Sequence, residues 1–133
     1  MTGATFLDGK VYRVSTGVFE DMRGALATLE FARYGFQPLR AFVVTAPPGS
    51  VRGGHGHRKG RQLLMRLSGE IEVEVCYRGC TQHLELDAIH SAVVIESPVW
   101  SRQVYLGFNP AMVVFCDTPY DPDDYMLNRE ESA

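Results

Sequence analysis

Two histidines one residue apart, His55 and His57, are the residues of this chain whose types and spacing most readily do chemistry. They lie in the stretch GSVRGGHGHRKGRQLLMRLSG, which covers residues 49–69. Residues i and i+2 of a β-strand point to the same face, so a strand here would place the two imidazoles side by side. The neighbouring glycines remove side chains around them and let another group approach the backbone closely. The pair could therefore bind a metal or move protons.

The elements that must position these histidines are predicted to be β-strands. In EIEVEVCY (70–77), apolar and acidic residues alternate without a fault, so Ile71, Val73 and Val75 share one face and the glutamates share the other. Further β-branched runs, separated by prolines and glycines, are LRAFVVT, AVVIE and AMVVFCD. Many short strands at even spacing are typical of an all-β closed barrel or jelly roll, in which closure manages the strand edges.

Turn signals and two less regular segments complete the predicted order of elements. The Ser-Gly pair at 68–69 and the Arg-Gly pair at 78–79 predict tight turns on either side of the alternating strand, which would make an antiparallel meander. RGALATLEF (23–31) contains helix-favouring alanine and leucine but alternates as a strand does, and we expect a strand. The acidic, proline-punctuated tail is expected on the surface, extended or with at most a short helix at 123–130.

Composition limits the classes of function. The 133 residues, 45% of them apolar, predict one domain over residues 1–133 with a real core. A net charge of −3 offers no general attraction for nucleic acid or for an anionic membrane, so the predicted partner is a small molecule. The chain shows neither a signal peptide nor a membrane-length apolar run, and we expect a cytoplasmic protein. Three cysteines without a C-x-x-C pair indicate neither a disulfide framework nor a zinc knuckle.

A metal site is the first alternative for the two histidines. The spacing from Gly49 to Gly69 resembles the first motif of the cupin superfamily, G-x5-H-x-H-x4-E-x6-G, but Gln62 stands where the glutamate ligand belongs. Cupin metal sites take a third histidine from a second motif, and the corresponding stretch, ESPVWSRQVYLGFNP, contains none. Two imidazoles and a neutral amide lack the charge and ligand number of ordinary first-row metal sites. We therefore expect no metal and no other cofactor, with a loop acid as the remaining source of a missing ligand.

Proton transfer is the second alternative. An unperturbed imidazole has a pKa of about 6.5, so a pair of imidazoles converging in a cavity can both take and give protons near neutral pH. Moving a ketone to the neighbouring carbon needs abstraction of the intervening C–H proton, an enediol intermediate and delivery of a proton to the former carbonyl carbon. Two acid/base groups suffice for this isomerisation.

Five motifs spread over almost the whole chain carry a family resemblance. They are D-x-R-G at 21–24, R-G-G-H-G-H-R-K at 52–59, the QLLMRLSGEIEV that follows, P-x-W at 98–100 and P-Y-D-P-D-D-Y-M at 119–126. With them the chain resembles the dTDP-sugar 3,4-ketoisomerases, the WxcM-like cupins of deoxysugar biosynthesis. The resemblance implies a single-domain, RmlC-like jelly-roll β-barrel that forms a homodimer. It also implies conversion of dTDP-4-keto-6-deoxy-D-glucose or a near relative to the 3-keto isomer, which is then aminated to a 3-amino sugar for lipopolysaccharide, S-layer glycan or an antibiotic.

The resemblance also assigns roles to residues. His55 and His57 fall on the acid/base histidines of the family, and Arg52 falls on the arginine that opens the motif, where a guanidinium could stabilise enediolate charge or bind the diphosphate. We therefore expect these three to be catalytic. The residues expected to bind substrate are Arg40, Lys59, Gln62, Arg66, Trp100 and Ser101, with Gln62 and Arg66 lining one cavity from the same strand face.

Two departures from the family pattern leave other functions open. The family often has tyrosine where this chain has Phe42 and Val43, and histidine where it has Ser101; a lost tyrosine could remove a proton relay. Tail residues such as Asp124 and Tyr125 match the family, and packing explains them as well as catalysis does. The alternatives are a sugar-nucleotide epimerase, a metal-dependent small cupin enzyme and a non-catalytic nucleotide-sugar binding cupin.

Overall fold

Strands account for most of the fold in the computed structural model, which describes residues 4–129. The predicted all-β class is confirmed, since the described residues contain short 3-10 helices and no α-helix. The strands are β1 Thr5–Phe6, β2 Val11–Val14, β3 Gly17–Asp21, β4 Gly24–Thr28, β5 Arg40–Thr45, β6 Ser50–His57, β7 Gln62–Tyr77, β8 Cys80–Leu86, β9 Ala92–Ile95, β10 Trp100–Cys116 and β11 Tyr125–Met126. The 3-10 helices are Phe31–Tyr34 and Pro122–Asp124. None of these helices is long and apolar enough to cross a membrane.

Two long antiparallel strands, β7 and β10, organise the main sheet. Its hydrogen-bonded order is β1-β2-β9-β7-β10-β6-β11, with β5 added to β10 and β8 added to β7. The first part of β10 pairs with β6 and its last part with β5, while β7 pairs first with β9 and then with β8. Each long strand therefore belongs to both halves of the folded sheet, one half containing β6 and β8 and the other containing β5 and β9. The core lies between these halves.

A bulge in β7 allows that strand to pass from one half to the other. Ala111 of β10 pairs with Ser68 and the next residue, Met112, pairs with Arg66, so Leu67 is an extra residue on β7. Leu64 faces the core before this point, and Ile71 faces it after, so the inward positions change from even to odd numbers. The predicted turn at 68–69 is therefore wrong, because the glycine there bends a continuous strand.

The other local predictions concern the turn at 78–79, the strand within 23–31 and the tail. The turn at 78–79 is confirmed: both residues have positive φ, and the turn joins β7 to β8. The strand predicted within 23–31 is confirmed over Gly24–Thr28, but all five of its residues are exposed and Phe31 begins a 3-10 helix. The tail forms a 3-10 helix and then the short strand β11, so it is mostly extended. Residues 1–3 and 130–133, which complete the predicted domain and tail, lie outside the described residues.

The bend in β7 at residues 68–69 requires a glycine, which is Gly69. Its φ is +68°, and a Cβ atom there would lie 2.7 Å from both the carbonyl oxygen of Leu106 and the Cα of Pro110. Both neighbours are backbone atoms, so they cannot swing away as the end of a side chain can. A side chain at 69 would force the two long strands apart where they cross between the halves of the sheet.

We expect Gly69→Ala to lower the free energy of unfolding by about 3 kcal/mol, because it adds a steric clash to an unfavourable φ. Gly79→Ala is the matched control, since Gly79 has a φ of +76° but open space around it. The control should lose only about 1 kcal/mol. Urea unfolding of the two variants measures the difference, and equal losses would contradict the role of Gly69 in the crossing.

Candidate active site

A cavity opens where β5, β6, β7 and β10 meet. Its walls combine apolar side chains with a few polar groups, which is the usual character of a small-molecule site. The described residues that line it are Phe42, Val44, Arg52, Gly53, His55, Gln62, Leu64, Gln103, Tyr105, Met112 and Val114. Among the predicted site residues, Arg52, His55 and Gln62 therefore share one cavity.

His57 lies beside this cavity and is held by a buried carboxylate. Its Nδ1 atom is 3.0 Å from Oδ2 of Asp124, and both side chains are more than nine-tenths buried. Asp124 also accepts hydrogen bonds from the backbone N–H groups of Lys59, at 2.7 Å, and Gly60, at 3.3 Å. Because both carboxylate oxygens accept hydrogen bonds, we assign the donated proton of His57 to Nδ1. Its Nε2 is then an acceptor, and it is buried without a partner.

His55 is the histidine that faces the cavity. Its ring stacks on the ring of Tyr125, with centroids 4.8 Å apart and an angle of 19° between the planes. The His57 ring lies 5.6 Å away, centroid to centroid. The two imidazoles are neighbours on one strand face, as the i, i+2 spacing predicts, but of the two only His55 lines the cavity.

Both histidines favour the neutral form. Burial is the main reason that the pKa of His55 is lowered, and the neighbouring His57 lowers it further, against a hydrogen bond to the backbone of Gly53 that raises it. Burial likewise lowers the pKa of His57, although the hydrogen bond and negative charge of Asp124 oppose this. At neutral pH the site therefore presents imidazole bases rather than imidazolium ions.

Arg40 and Gln62 meet at a buried thiol behind the cavity. An Nη2 of Arg40 lies 3.5 Å from Sγ of Cys116, and Nε2 of Gln62 lies 3.8 Å from the same sulfur. The guanidinium of Arg40 lies 5.3 Å from the ring centroids of Phe42 and Tyr120. Burial lowers the pKa of Arg40, but hydrogen bonds to Tyr125 and Cys116 raise it overall, and the charge of Arg40 in turn lowers the pKa of His57.

The remaining predicted substrate-binding residues lie outside the cavity lining. Lys59 is exposed and contributes its backbone N–H to Asp124. Trp100 is buried, and the guanidinium of Arg129 covers its ring at 4.3 Å from the centroid, so that ring face cannot stack on a base. Ser101 is buried and accepts a hydrogen bond from Nε2 of Gln103 at 3.3 Å, so it contacts a residue of the cavity lining without lining the cavity itself.

Arg66 corrects the expectation that it lines one cavity with Gln62. Its Nε donates to the carbonyl oxygen of Gly69 at 2.7 Å, and its side chain borders a separate surface depression with Asp87 and Phe108. The β7 bulge follows directly at Leu67, and the guanidinium of Arg66 reaches toward Gly69 rather than into the cavity. Residues 62–66 pair regularly with β10, so the i, i+4 spacing by itself does not show that the Arg66 side chain leaves the cavity lining.

Gln103 and Tyr105 are cavity residues that the sequence reasoning missed. They alternate with Ser101 on β10, and Gln103 pairs with Arg52 on β6. A period of two counted from Ser101 would have marked both positions, but only the pairing of β10 with β6 shows that they face the histidines. Asp124 and Tyr125, whose role the sequence left open, contact the histidines directly.

A metal centre finds no complete ligand set in the part of the chain that the structure describes. No group of three or more His, Cys, Asp or Glu side chains there converges closely enough to hold an ion. Asp124 is the acid nearest to His57, and both its oxygens already accept hydrogen bonds. Metal independence of the chemistry stays a prediction for experiment.

Comparisons with known proteins agree on one group of enzymes. A family model described as FdtA: WxcM-like, C-terminal matches residues 10–133. The TDP-4-oxo-6-deoxy-alpha-D-glucose-3,4-oxoisomerase of Aneurinibacillus thermoaerophilus is 27% identical over 108 residues, which cover 80% of this chain and 78% of that protein.

Solved structures establish the fold type. The sugar 3,4-ketoisomerase QdtA from Thermoanaerobacterium thermosaccharolyticum, in complex with TDP, matches with a TM-score of 0.83 at 22% identity, over 92% of this chain and 91% of that chain. The RmlC epimerase of Mycobacterium tuberculosis matches with a TM-score of 0.76 at 16% identity, over 91% of this chain and 70% of that chain. The predicted RmlC-like jelly roll is confirmed.

The lowered pKa values of the two site histidines predict how stability depends on pH. Below pH 6.5, their ordinary pKa, His55 and His57 are protonated in the unfolded chain but bind protons less readily in the folded chain. The free energy of unfolding should therefore rise with pH through this window, which extends from the folded-state pKa values up to 6.5. Replacing both residues by asparagine should flatten the rise in a series of urea titrations.

The exposed histidines His83 and His90 provide the matched control, because their side chains remain largely in solvent. In the His83→Asn/His90→Asn protein, the free energy of unfolding should rise with pH as it does in the wild type. An equally steep curve for the His55→Asn/His57→Asn protein would show that burial of these two imidazoles does not set the slope.

Proposed function

Because this chain belongs to the WxcM-like FdtA family, we propose that it isomerises a dTDP-4-keto-6-deoxyhexose to the 3-keto isomer. The substrate class is that named for its relatives: one is a TDP-4-oxo-6-deoxyglucose 3,4-oxoisomerase, and a mutant of QdtA binds TDP-4-keto-6-deoxyglucose. The product of such a step is a ketone that an aminotransferase accepts. We therefore place the reaction in deoxyamino-sugar biosynthesis.

The observation that carries this proposal is a neutral imidazole facing a cavity beside a second, oriented imidazole. His55 is neutral at neutral pH and can accept a proton, because burial and His57 lower its pKa. His57 is fixed by Asp124 and has an unpartnered Nε2. Two such groups supply acid/base catalysis, which contributes typically 10²–10⁴-fold to a rate.

The positions of these groups support the following steps. His55, as the histidine in the cavity wall, takes the proton from C3 of the bound 4-ketosugar, and an enediol forms. The protonated His55 then returns this proton to C4, and His57, the second acid/base group, moves the hydroxyl proton from O3 to O4 through its unpartnered Nε2. Arg52 lines the same cavity, and its positive charge stabilises the oxygens of the intermediate as negative charge develops there. No redox cofactor is needed, because the hydrogen lost from C3 and the hydrogen gained at C4 are both protons.

Proton NMR with dTDP-4-keto-6-deoxy-D-glucose in deuterium oxide, with EDTA present and a 3-aminotransferase as trap, tests this function. We expect 3-keto signals from the wild-type protein, with solvent deuterium entering the sugar ring. His55→Asn should lower turnover at least 100-fold, because it removes the acid/base group of the cavity wall. His83→Asn makes the same change at an exposed histidine and should leave turnover intact.

Other outcomes of this experiment identify the alternatives. Turnover that is lost with EDTA and returns with an added divalent metal would mean a metal-dependent enzyme. Deuterium at C5 rather than C3 would mean an epimerase. Thermal stabilisation by thymidine diphosphate without any product would mean a binding module.

We also propose that the protein is a homodimer. The hairpin of β3 and β4 forms its own two-stranded sheet, which is not hydrogen-bonded to the main sheet. It exposes the apolar side chains Val18, Phe19 and Leu26 at 51%, 65% and 57% of their full areas. An isolated hairpin is at best marginally stable in water, so an arm of this kind gains stability by packing on a second copy.

Sedimentation equilibrium tests the dimer. The wild-type protein should have twice the chain mass of 14.8 kDa. Val18→Ser/Phe19→Ser should shift it toward the monomer, because the hairpin then loses apolar area that a partner would bury. Ile89→Ser replaces another exposed apolar residue, outside the hairpin, and should leave the mass unchanged. A wild-type monomer, or a double variant that still dimerises as tightly, would overturn this proposal.

A further inference from the structure

The loop that joins β6 to β7, residues 58–61, is held by two aspartates rather than by strand pairing. Its four consecutive backbone N–H groups all donate to them. The N–H of Arg58 donates to the carbonyl oxygen of Asp124 at 2.8 Å, and those of the next two residues donate to the carboxylate of Asp124. The N–H of Arg61 donates instead to Oδ1 of Asp117, at 2.7 Å. Asp117 therefore fixes the end of the loop whose other N–H groups converge on Asp124.

Asp117 binds Arg61 at its side chain as well as at its backbone. Its Oδ2 accepts a hydrogen bond from Nε of Arg61 at 2.8 Å, and its own N–H donates to the carbonyl oxygen of Arg61 at 3.2 Å. The two side chains are only 24% and 18% exposed, so solvent screens this pair less than it screens a surface salt bridge. The hydrogen bond to Asp117 is the main reason that the pKa of Arg61 is raised.

The outer end of the Arg61 guanidinium is anchored by other parts of the fold. Nη2 donates to the carbonyl oxygen of Gly35 at 2.7 Å, and Nη1 lies 3.5 Å from Oε2 of Glu96. The guanidinium carbon lies 5.2 Å from the ring centroid of Phe36. None of these contacts involves the backbone of residues 58–61. Asp117 is thus the group that connects the anchored side chain to the loop backbone.

The position of this loop matters for His57. The acid/base role of His57 needs a lone pair on Nε2, so its proton must stay on Nδ1, which donates to Asp124. Asp124 is buried, and the N–H groups of residues 59 and 60 offset the cost of burying its charge. A loop that turned these N–H groups away would favour movement of the carboxylate toward water. Asp117 is not among the residues that line the cavity, so its influence reaches the reaction through the loop.

We propose that Asp117 is a positioning residue of the ketoisomerase reaction: by fixing residues 58–61 it keeps the carboxylate of Asp124 on Nδ1 of His57, without contacting the substrate. This inference rests on the proposed function. It assigns no proton transfer to Asp117, whose oxygens both accept hydrogen bonds from Arg61.

The charged and titratable groups that face His57 come from several elements. Burial has the largest effect on its pKa and lowers it, whereas Asp124 raises it through a hydrogen bond and its charge. The charge of Arg40 on β5 lowers the pKa, and that of Asp117 at the end of β10 raises it. The rings of His55 and Tyr125 also pack beside the His57 ring. Loss of the Asp117 charge should therefore lower the pKa of His57 further.

Asp117→Asn tests this role in the full-length protein. Asparagine keeps one oxygen for the N–H of Arg61, but its amide nitrogen cannot accept from Nε. We expect kcat to fall at least about tenfold, with the affinity for thymidine diphosphate within twofold of the wild type. Nitrogen-15 NMR of the imidazoles should show His57 with its proton on Nδ1 in the wild type. In the variant it should show a mixture of tautomers and a lower pKa.

Two further variants make this test specific. Glu96→Gln removes the other carboxylate beside Arg61, and it should lower the free energy of unfolding but leave kcat within twofold and the tautomer unchanged. Arg61→Lys keeps the backbone N–H and the charge but loses the Nε bond to Asp117. It should change the tautomer in the same direction, with kcat about threefold lower, and it decides the question if Asp117→Asn does not fold.

The outcomes separate this role from the function on which it rests. An Asp117→Asn protein within twofold of the wild type in kcat overturns the proposal, and so does a lower kcat with an unchanged His57 tautomer. If the wild-type protein does not convert the ketosugar, the proposed function fails. The tautomer comparison needs no substrate, so an unchanged tautomer would then show separately that Asp117 does not position His57.

Discussion

The buried carboxylate of Asp124 is the contact on which the arrangement of the site depends. A charge in this position is costly unless it is paired and hydrogen-bonded, and Asp124 meets that requirement through His57 and the backbone N–H groups of residues 59 and 60. Gly60 makes this possible, because a Cβ there would lie 3.0 Å from the carboxylate. The contacts of Asp124 also hold the tail beside β6, where β11 pairs with β6 and the ring of Tyr125 stacks on His55. One carboxylate thus fixes the tail, the tautomer of one histidine and the stacking partner of the other.

The cost in stability is concentrated around the cavity. His57 buries a nitrogen without a partner, and His55 is neutral because the fold removes it from water. Such features oppose folding and are typical of functional sites, where a ligand rather than the protein supplies the missing contact. The apolar core between the two halves of the sheet, which includes Leu64 and Ile71, provides the stability that tolerates them.

The crossing of β7 and β10 determines which side chains reach the cavity. A regular strand would keep one parity facing inward along its whole length. The bulge at Leu67 changes the parity of the residues that follow, and Arg66, just before it, bonds the backbone of Gly69 instead of lining the cavity. The cavity wall is consequently built from the two ends of β10, one beside β6 and the other beside β5, rather than from one uninterrupted strand face.

Features that depend on a local pattern could be predicted from the amino-acid sequence alone. Strict alternation in EIEVEVCY predicted a half-buried strand, and the Arg-Gly pair at 78–79 predicted a hairpin turn. The i, i+2 spacing placed His55 and His57 on one face. Each of these predictions follows from the geometry of a few neighbouring residues. Other features depend on packing between segments that are distant in the sequence. Ser-Gly at 68–69 has the composition of a turn, yet packing against Leu106 and Pro110 makes Gly69 a bend in a 16-residue strand. Asp124 is 67 residues from His57, and Tyr105 is 50 residues from His55, so their places at the site depend on strand pairing between distant segments, which no local pattern encodes.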